Sequence, residues 1–430
     1  MSWGRRIVST VPARVVGSAA DDRICVVLAT GALAIFGSYE TEWLNLVLRS
    51  LHVVAAIAWI GASFYFIALD HHLQPPNADE TRRGVGGESW EIHGGGFYHV
   101  SKYRLAPERL PEPLHWFKWE AYTTWLSGFG LLVALYYASA ETYLIDRSVA
   151  DLSSGAAVAI SVGLIAASWV IYDMVCRLLG PRDGLVAIGV VLLAVVSAWI
   201  ASELFASRAA YLQVGAMLGT IMAGNVVFNI MPGQRELVAA KRAEREPDPL
   251  PGIRAKQRSV HNNYLTLPVL FTMLASHFPF TYGHSGGWLI LVAFMLIGAG
   301  IRHFFNLRHQ GRTIWAIPAV AALALLGLAI ALRPESTSTA GAPSVSFATV
   351  QTIVQTRCAG CHAAKPTVAG FSSAPKGVLL DTSENIVTQR AAIKAQAVDS
   401  RAMPLGNVTG MTQAERDTIG DWLTQDGSTP

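Results

Sequence analysis

Charge is scarce in this sequence. Only 15% of its residues are Asp, Glu, Lys or Arg, where soluble domains carry about 25%, so most of the chain is not built for water. An excess of one sign is missing too: the formal net charge is +3, too small for a nucleic-acid footprint, and no nucleic-acid partner is expected. Four cysteines make no disulfide framework. Two of them, Cys25 and Cys176, stand alone in apolar runs, as small buried hydrophobes do. There is no internal repeat. The triplet Gly94-Gly95-Gly96 is not followed by Gly-Lys-Ser/Thr, which argues against a phosphate-cradling loop and leaves close backbone approach as its expected use. What abounds is apolar residue, 52% of the chain, with a mean hydropathy of +0.36.

A hydrocarbon core needs roughly 20 apolar residues of helix to cross it. Eight stretches approach that length: 45–69, 119–138, 155–179, 185–204, 211–231, 264–280, 287–304 and 314–332. A ninth candidate, 24–39, is shorter. Trp43, Trp116, Trp119, Trp288 and Trp315 fall near span ends, as interfacial aromatics do. The loop 232–260 holds Arg235, Lys241, Arg242, Arg245, Arg254, Lys256 and Arg258, whereas 139–154 and 281–286 carry little positive charge. The positive-inside rule places the first in the cytoplasm and the other two outside. The long loop 70–118 then lies inside and the tail after residue 333 outside.

The tail is polar. Residues 333–346, "RPESTSTAGAPSVS", read as a flexible linker reaching about 20 Å, and 347–430 as a small soluble domain. Ser346 is placed to cap a helix whose Phe347, Val350, Ile353 and Val354 share one face. Thr412 and Glu415 have the spacing of a capping box. Between them lies "CAGCH", residues 358–362. Cys-x-x-Cys-His is the attachment signature of c-type haem: Cys358 and Cys361 supply two thioethers and His362 an iron ligand. A zinc site would need two further ligands, and no Cys or His follows residue 362. A thioredoxin-like redox pair would need a βαβ pattern. The sixth iron ligand is expected from Met403, before Pro404 in an irregular loop, with Met411 the other choice. The order of these parts is that of a small class I cytochrome c. The expected fold class is therefore all-α: a polytopic helical membrane bundle with eight core spans and a possible ninth, plus this small domain. The expected divisions are 1–40, 41–332, 333–346 and 347–430.

The stretches "WLNLVLRSLHVVAAIAWIGASFYFIALDHHLQPP" (43–76), "GGESWEIHGGGFYHVSKYRLAPERLPEPLHWFKWEAYTTWLSGF" (86–129) and "SVHNNYLTLPVLFTMLASHFPF" (259–280) resemble the bacterial membrane-bound urate hydroxylase family. In that family a multi-span urate oxidase domain is fused to a C-terminal cytochrome c. The resemblance covers about residues 40–335 and the haem tail. It implies oxidation of urate to 5-hydroxyisourate in purine catabolism, in the bacterial inner membrane with the cytochrome domain periplasmic. Electrons would pass to the covalent haem c and on to a soluble cytochrome c or terminal oxidase.

Urate is a flat monoanion, so its pocket needs a cation, amides and a base. The candidates are His93, His99, Lys102 and Arg104 in the loop 86–120, with His261 and Asn262 at the inner end of the seventh span. A substrate loop inside and a haem outside leave about 30 Å of hydrocarbon for electrons to cross. By depth, His52 pairs with His277 near the outer face, and His261 with His303 near the inner one. Such pairs suit ligation of a haem b, or His52 and His277 belong to a substrate site in the outer half. The alternative function is a non-catalytic membrane cytochrome relaying quinol electrons outward.

Overall fold

The computed structural model describes residues 38–284, 286–333, 345–368 and 371–425. The ninth candidate span up to residue 37, Cys25 and linker residues 334–344 lie outside them. The first long apolar run forms α1, Ser38–His72, and stops before Pro75 and Pro76, which cannot continue a helix. After α2, Ala78–Arg82, capped by Asn77, the chain forms strands β1, Val85–His93, and β2, Gly96–Tyr103. They pair antiparallel with His93 opposite Gly96. Gly94 and Gly95 make the two-residue turn at φ 58° and 82°, a conformation that favours glycine in hairpin turns. The all-α expectation is corrected here. The glycines serve a turn, and the aromatic and β-branched alternation of Trp90, Ile92, Phe97 and Val100 suits a strand. The chain is mostly helical with one two-stranded sheet.

The bundle continues with α3, Trp119–Leu131, extended by a π-helical stretch Leu132–Tyr137. Then come α4, Ala140–Tyr143; α5, Ser154–Leu179; and α6, Asp183–Leu204. Helix α7, Ser207–Gly224, runs through a π-helical turn Asn225–Ile230 into α8, Met231–Arg242. The wide turn precedes Pro232, whose missing N–H and ring disfavour a regular turn there. Next are α9, Pro249–Ala275; α10, Pro279–Tyr282; α11, Gly287–His309; and α12, Ala316–Ala331. Each of the eight apolar segments contains a helix. Five helices, Tyr39–His72, Ser154–Leu179, Asp183–Leu204, Ser207–Arg242 and Gly287–His309, are long and apolar enough to cross a membrane. The α7 stretch is central: 61% of its apolar window is buried, against 11–33% in the other four. Leu46, Val54, Ile57, Leu178, Leu192 and Leu323 on outer faces stay exposed, an apolar belt that suits lipid. The loop 232–260 needs correction as well. Asp248 caps α9, accepting from the Leu250 amide at 2.9 Å, so this helix starts well before the apolar run.

The tail consists of α13, Phe347–Arg357; α14, Ser383–Thr388; α15, Arg390–Ile393; and α16, Gln413–Thr424. Ser346 caps α13, and Thr412 with Glu415 closes the capping box of α16. Val350, Val354, Ile386, Ile419 and Trp422 form a separate apolar core. The tail packs on the bundle end formed by α4 and α10. Ala402 lies against the bundle core, Gly283 lies against the Ser400 carbonyl, and a side chain on Gly406 would meet the Thr142 carbonyl at 2.7 Å. The contacting loops, 139–154 and 281–286, are those the charge pattern put outside. Between tail and bundle is a cavity of about 1050 Å³, bordered by Glu141, Arg208, Tyr282, Pro404 and Met411.

Candidate functional site

Three sets of polar side chains carry chemistry. The first is in the tail. Cys358 follows α13 directly, and both Cys358 and Cys361 are unpaired thiols. Burial pushes the Cys358 thiol up to about 11 and raises that of Cys361, so neither is poised as a thiolate nucleophile. His362 Nδ1 donates to the Val378 carbonyl at 3.0 Å. That bond fixes the tautomer and leaves the Nε2 lone pair for a metal, as ligating histidines require. Met411 is a core side chain, with its backbone bonded to Asn407 at both ends. Met403 is only partly buried, and Arg416 Nη1 holds its carbonyl at 2.7 Å. Among the described residues, no cluster of three or more His, Cys, Asp or Glu is arranged to hold a bare metal ion. An oriented imidazole, an available thioether and two adjacent thiols form a donor set that suits covalent haem c.

The second set lies between α5, α7 and α9. Asp173 pairs with Arg258 at 2.7 Å and accepts from Arg177 at 2.5 Å. The Arg258 guanidinium lies 5.0 Å over the Tyr172 ring. Asn225, positioned by the π turn, donates at 2.9 Å both to the Tyr172 hydroxyl and to Asn262 Oδ1. The Tyr172 hydroxyl is also hydrogen-bonded to His261 Nδ1 at 2.7 Å. Asn262 Nδ2 donates to the Met222 carbonyl at 3.0 Å.

The third set lies across α9, against α1 and α11. Arg302 Nε donates to Asn263 Oδ1 at 2.8 Å, and its Nη2 donates to Asn306 Oδ1 at 2.9 Å. Asn306 Nδ2 also donates to Asn263 Oδ1, at 3.1 Å. Nearby, Asp70 on α1 is paired with Lys256 at 3.4 Å and with Lys102 of the hairpin.

Of the residues singled out from sequence, His261 and Asn262 sit in the second set. Lys102 reaches the margin of the third through Asp70. His93 is exposed at the hairpin turn and Arg104 at the end of β2. His99 is stacked on Trp90, with ring centroids 4.4 Å apart, and bonds Glu88 at 3.1 Å. No hydrogen bond or ion pair joins His93, His99 or Arg104 to His261 or Asn262 among the described residues. His52 Nδ1 donates to the Thr124 carbonyl at 2.9 Å, while His277 is exposed beyond α9, and no hydrogen bond or ring contact joins the two among the described residues. His303 bonds Tyr264 at 2.8 Å, on a different partner from His261. Arg302, Asn306, Asn225 and Tyr172 were not singled out. The available signal for Arg302 was a cation inside the apolar run "LILVAFMLIGAGIR", since charges at membrane depth mark function.

A family model described as Urate oxidase N-terminal matches residues 38–333. The match runs from the start of α1 to just past α12 and stops before the tail. No curated protein and no solved structure matches the chain.

Proposed function

The chain belongs to the urate oxidase N-terminal family, and on that premise we propose that it is a membrane oxidoreductase passing electrons from urate to a haem c in its own tail. Urate and water become 5-hydroxyisourate, releasing two protons and two electrons. The bundle binds the purine and receives the protons, with His261, backed by Tyr172, as the candidate proton acceptor in the buried interior. In the tail, Cys358 and Cys361 would hold the porphyrin, with His362 Nε2 and Met403 as iron ligands. Bound there, haem would supply one-electron oxidation at a potential raised by its thioether ligand.

The observation that carries this reading is the union in one chain of the family match with Cys-x-x-Cys-His, its imidazole already oriented by Val378. The packing of the tail against the loops that the charge pattern places outside supports a periplasmic haem in the bacterial inner membrane. Electrons would then leave to a soluble cytochrome c or a terminal oxidase. His52, whose Nδ1 is engaged by the Thr124 carbonyl, is kept as a candidate ligand for a haem b.

Adding urate to anaerobic membranes containing the whole protein should reduce the c-haem and bring up its α-band. No reduction with the haem intact would overturn the reading, and reduction by quinol alone would favour the relay. Cys361→Ala should abolish both the stable covalent porphyrin and turnover. The bundle should remain folded, since its core is its own.

A further inference from the structure

Arg302 is a buried cation without an anion. Its residue is 4% exposed, and no carboxylate lies within ion-pair distance among the described residues. Its hydrogen-bond partners are the neutral amides Asn263 and Asn306. Its guanidinium lies 4.0 Å over the Phe64 ring. Of its five N–H groups, these bonds use one on Nε and one on Nη2, leaving Nη1 and the second Nη2 donor. On the same face of α1, Ser63 Oγ and His71 Nδ1 are buried with no hydrogen-bond partner. Asn263 Nδ2 donates to the Ser63 carbonyl at 3.4 Å, tying that face to the Arg302 network.

An unneutralised charge in a low-dielectric interior is strongly unfavourable, and so is a buried polar atom without a partner. Three such groups on one face of one site are what a bound ligand would relieve. The contrast in charge is internal: Arg258, on the other side of α9, also has an unpartnered Nη1 but is neutralised by Asp173 at 2.7 Å. Among the described residues no side chain supplies the missing anion, which leaves the place open to a bound one. Its shape and rim are constrained as well. The remaining guanidinium donors form a planar fork that suits two acceptors in one plane. The Ser63 hydroxyl can donate or accept, and His71 Nδ1 does either according to its tautomer. Phosphate would use donors alone, whereas a flat heterocyclic anion with alternating N–H and C=O around its rim uses both.

We propose that Arg302 is the substrate anchor, and that a planar monoanionic purine, urate, supplies its counter-ion, held at the rim by Ser63 and His71. Asn263 and Asn306 are positioning residues that orient the guanidinium. The inference rests on the urate reading, which it deepens by locating the site between α1, α9 and α11.

The test is binding rather than turnover. The full-length haem-loaded protein in detergent, fully reduced with dithionite under anaerobic conditions, cannot take electrons from the purine. Equilibrium dialysis with radiolabelled urate then reads affinity alone. Arg302→Gln should lower affinity at least 100-fold with an unchanged Soret band and melting temperature. Arg302→Lys should retain part of the affinity and Asn306→Ala should lose about 10-fold. If Arg302→Gln does not fold, Ser63→Ala and Asn306→Ala carry the test, each with an expected several-fold loss. Wild-type affinity in a folded Arg302→Gln protein, or in both substitutes, would overturn the anchor while leaving urate oxidation standing. Should the native protein neither bind urate nor have its haem reduced by it, the anchor and the urate reading fall together.

Discussion

Helix α9 divides the polar interior of the bundle into two pockets that treat a buried arginine in opposite ways. Toward α5 and α7, Arg258 is paired with Asp173, and its neighbours Tyr172, Asn225, His261 and Asn262 form one hydrogen-bonded chain. Toward α1 and α11, Arg302 has amides alone. Consecutive residues face the two sides, Asn262 the first and Asn263 the second. Both pockets hold buried polar atoms without partners, Arg258 Nη1 and Asn225 Oδ1 in the first, Ser63 Oγ and His71 Nδ1 in the second. The charge of the first is neutralised from within the chain, whereas among the described residues the second is short of one negative charge. An apolar side chain would serve stability better than such a cation, so its presence points to function.

The largest effect is expected on the neutralised side. Asp173→Asn strips Arg258 of its counter-ion while leaving the charge buried, a change that costs about 3–5 kcal/mol. The variant should melt far below the native protein in a fluorescence thermal scan, or fail to accumulate. An unchanged melting temperature would mean that Arg258 does not need Asp173, and the comparison would break. The mirror variant is Arg302→Met. Replacing a cation that has no anion with an apolar side chain removes a buried charge but leaves Asn306 Oδ1 without its donor, so the melting temperature should fall far less than in Asp173→Asn. It should lower kcat/KM for urate at least 100-fold, about 2.7 kcal/mol of transition-state binding at roughly 1.36 kcal/mol per decade.

These pockets were only partly legible in the sequence. The apolar stretches were, because helix-length runs of Leu, Val, Ile and Ala announce themselves one residue at a time. So were the caps at Ser346 and Thr412, whose signal is local. His261 and Asn262 were found as polar residues entering a span. Arg258 was read as a loop charge, because the positive-inside pattern and a helix that begins at Pro249 look alike from composition. The hairpin was missed because its histidines, lysine and glycines suggested a binding loop, while its strand alternation lay mostly in the aromatics. Arg302 is the instructive case. That a cation is buried is visible in a hydropathy run, but that it lacks a carboxylate depends on which helices surround it. Only the packing of α1, α9 and α11 supplies that fact.

A smaller effect tests the chain of bonds beside Arg258. Tyr172→Phe removes the hydroxyl that accepts from Asn225 and is hydrogen-bonded to His261, leaving two buried groups short of a partner. The expected loss is about 1–3 kcal/mol, read in the same melt and well below that of Asp173→Asn. If His261 accepts the substrate proton, the acid limb of kcat against pH should shift in Tyr172→Phe. In Asn263→Ala, which disturbs the other pocket, urate affinity should fall instead.

The tail provides the limiting case, an arginine pair close to solvent. Arg357 Nε donates to Glu415 Oε1 at 3.0 Å, and the Glu415 carboxylate also accepts from the Thr412 amide at 2.7 Å. The Thr412 amide is the leading reason that the Glu415 carboxyl is held below the usual range, with Arg357 adding to it. A carboxyl lowered in the folded state binds its proton first when unfolded, so stability rises with pH across that interval. Its contribution is whole above the ordinary glutamate value and is lost as pH falls through the lower folded one. A pair so near solvent contributes under about 1 kcal/mol. In the full-length protein, amides of α16 should therefore exchange hydrogen slightly faster in Glu415→Gln than in the native chain at pH 7, and the difference should close as pH falls through the lowered Glu415 value. Asp381, held low by the Ala364 amide, titrates in the same direction but is common to both proteins and cancels. A difference that did not shrink as pH falls would show that Glu415 acts through packing and not through its charge. The ranking by burial would then lose its lowest step, while the contrast between Arg258 and Arg302 would still rest on Asp173.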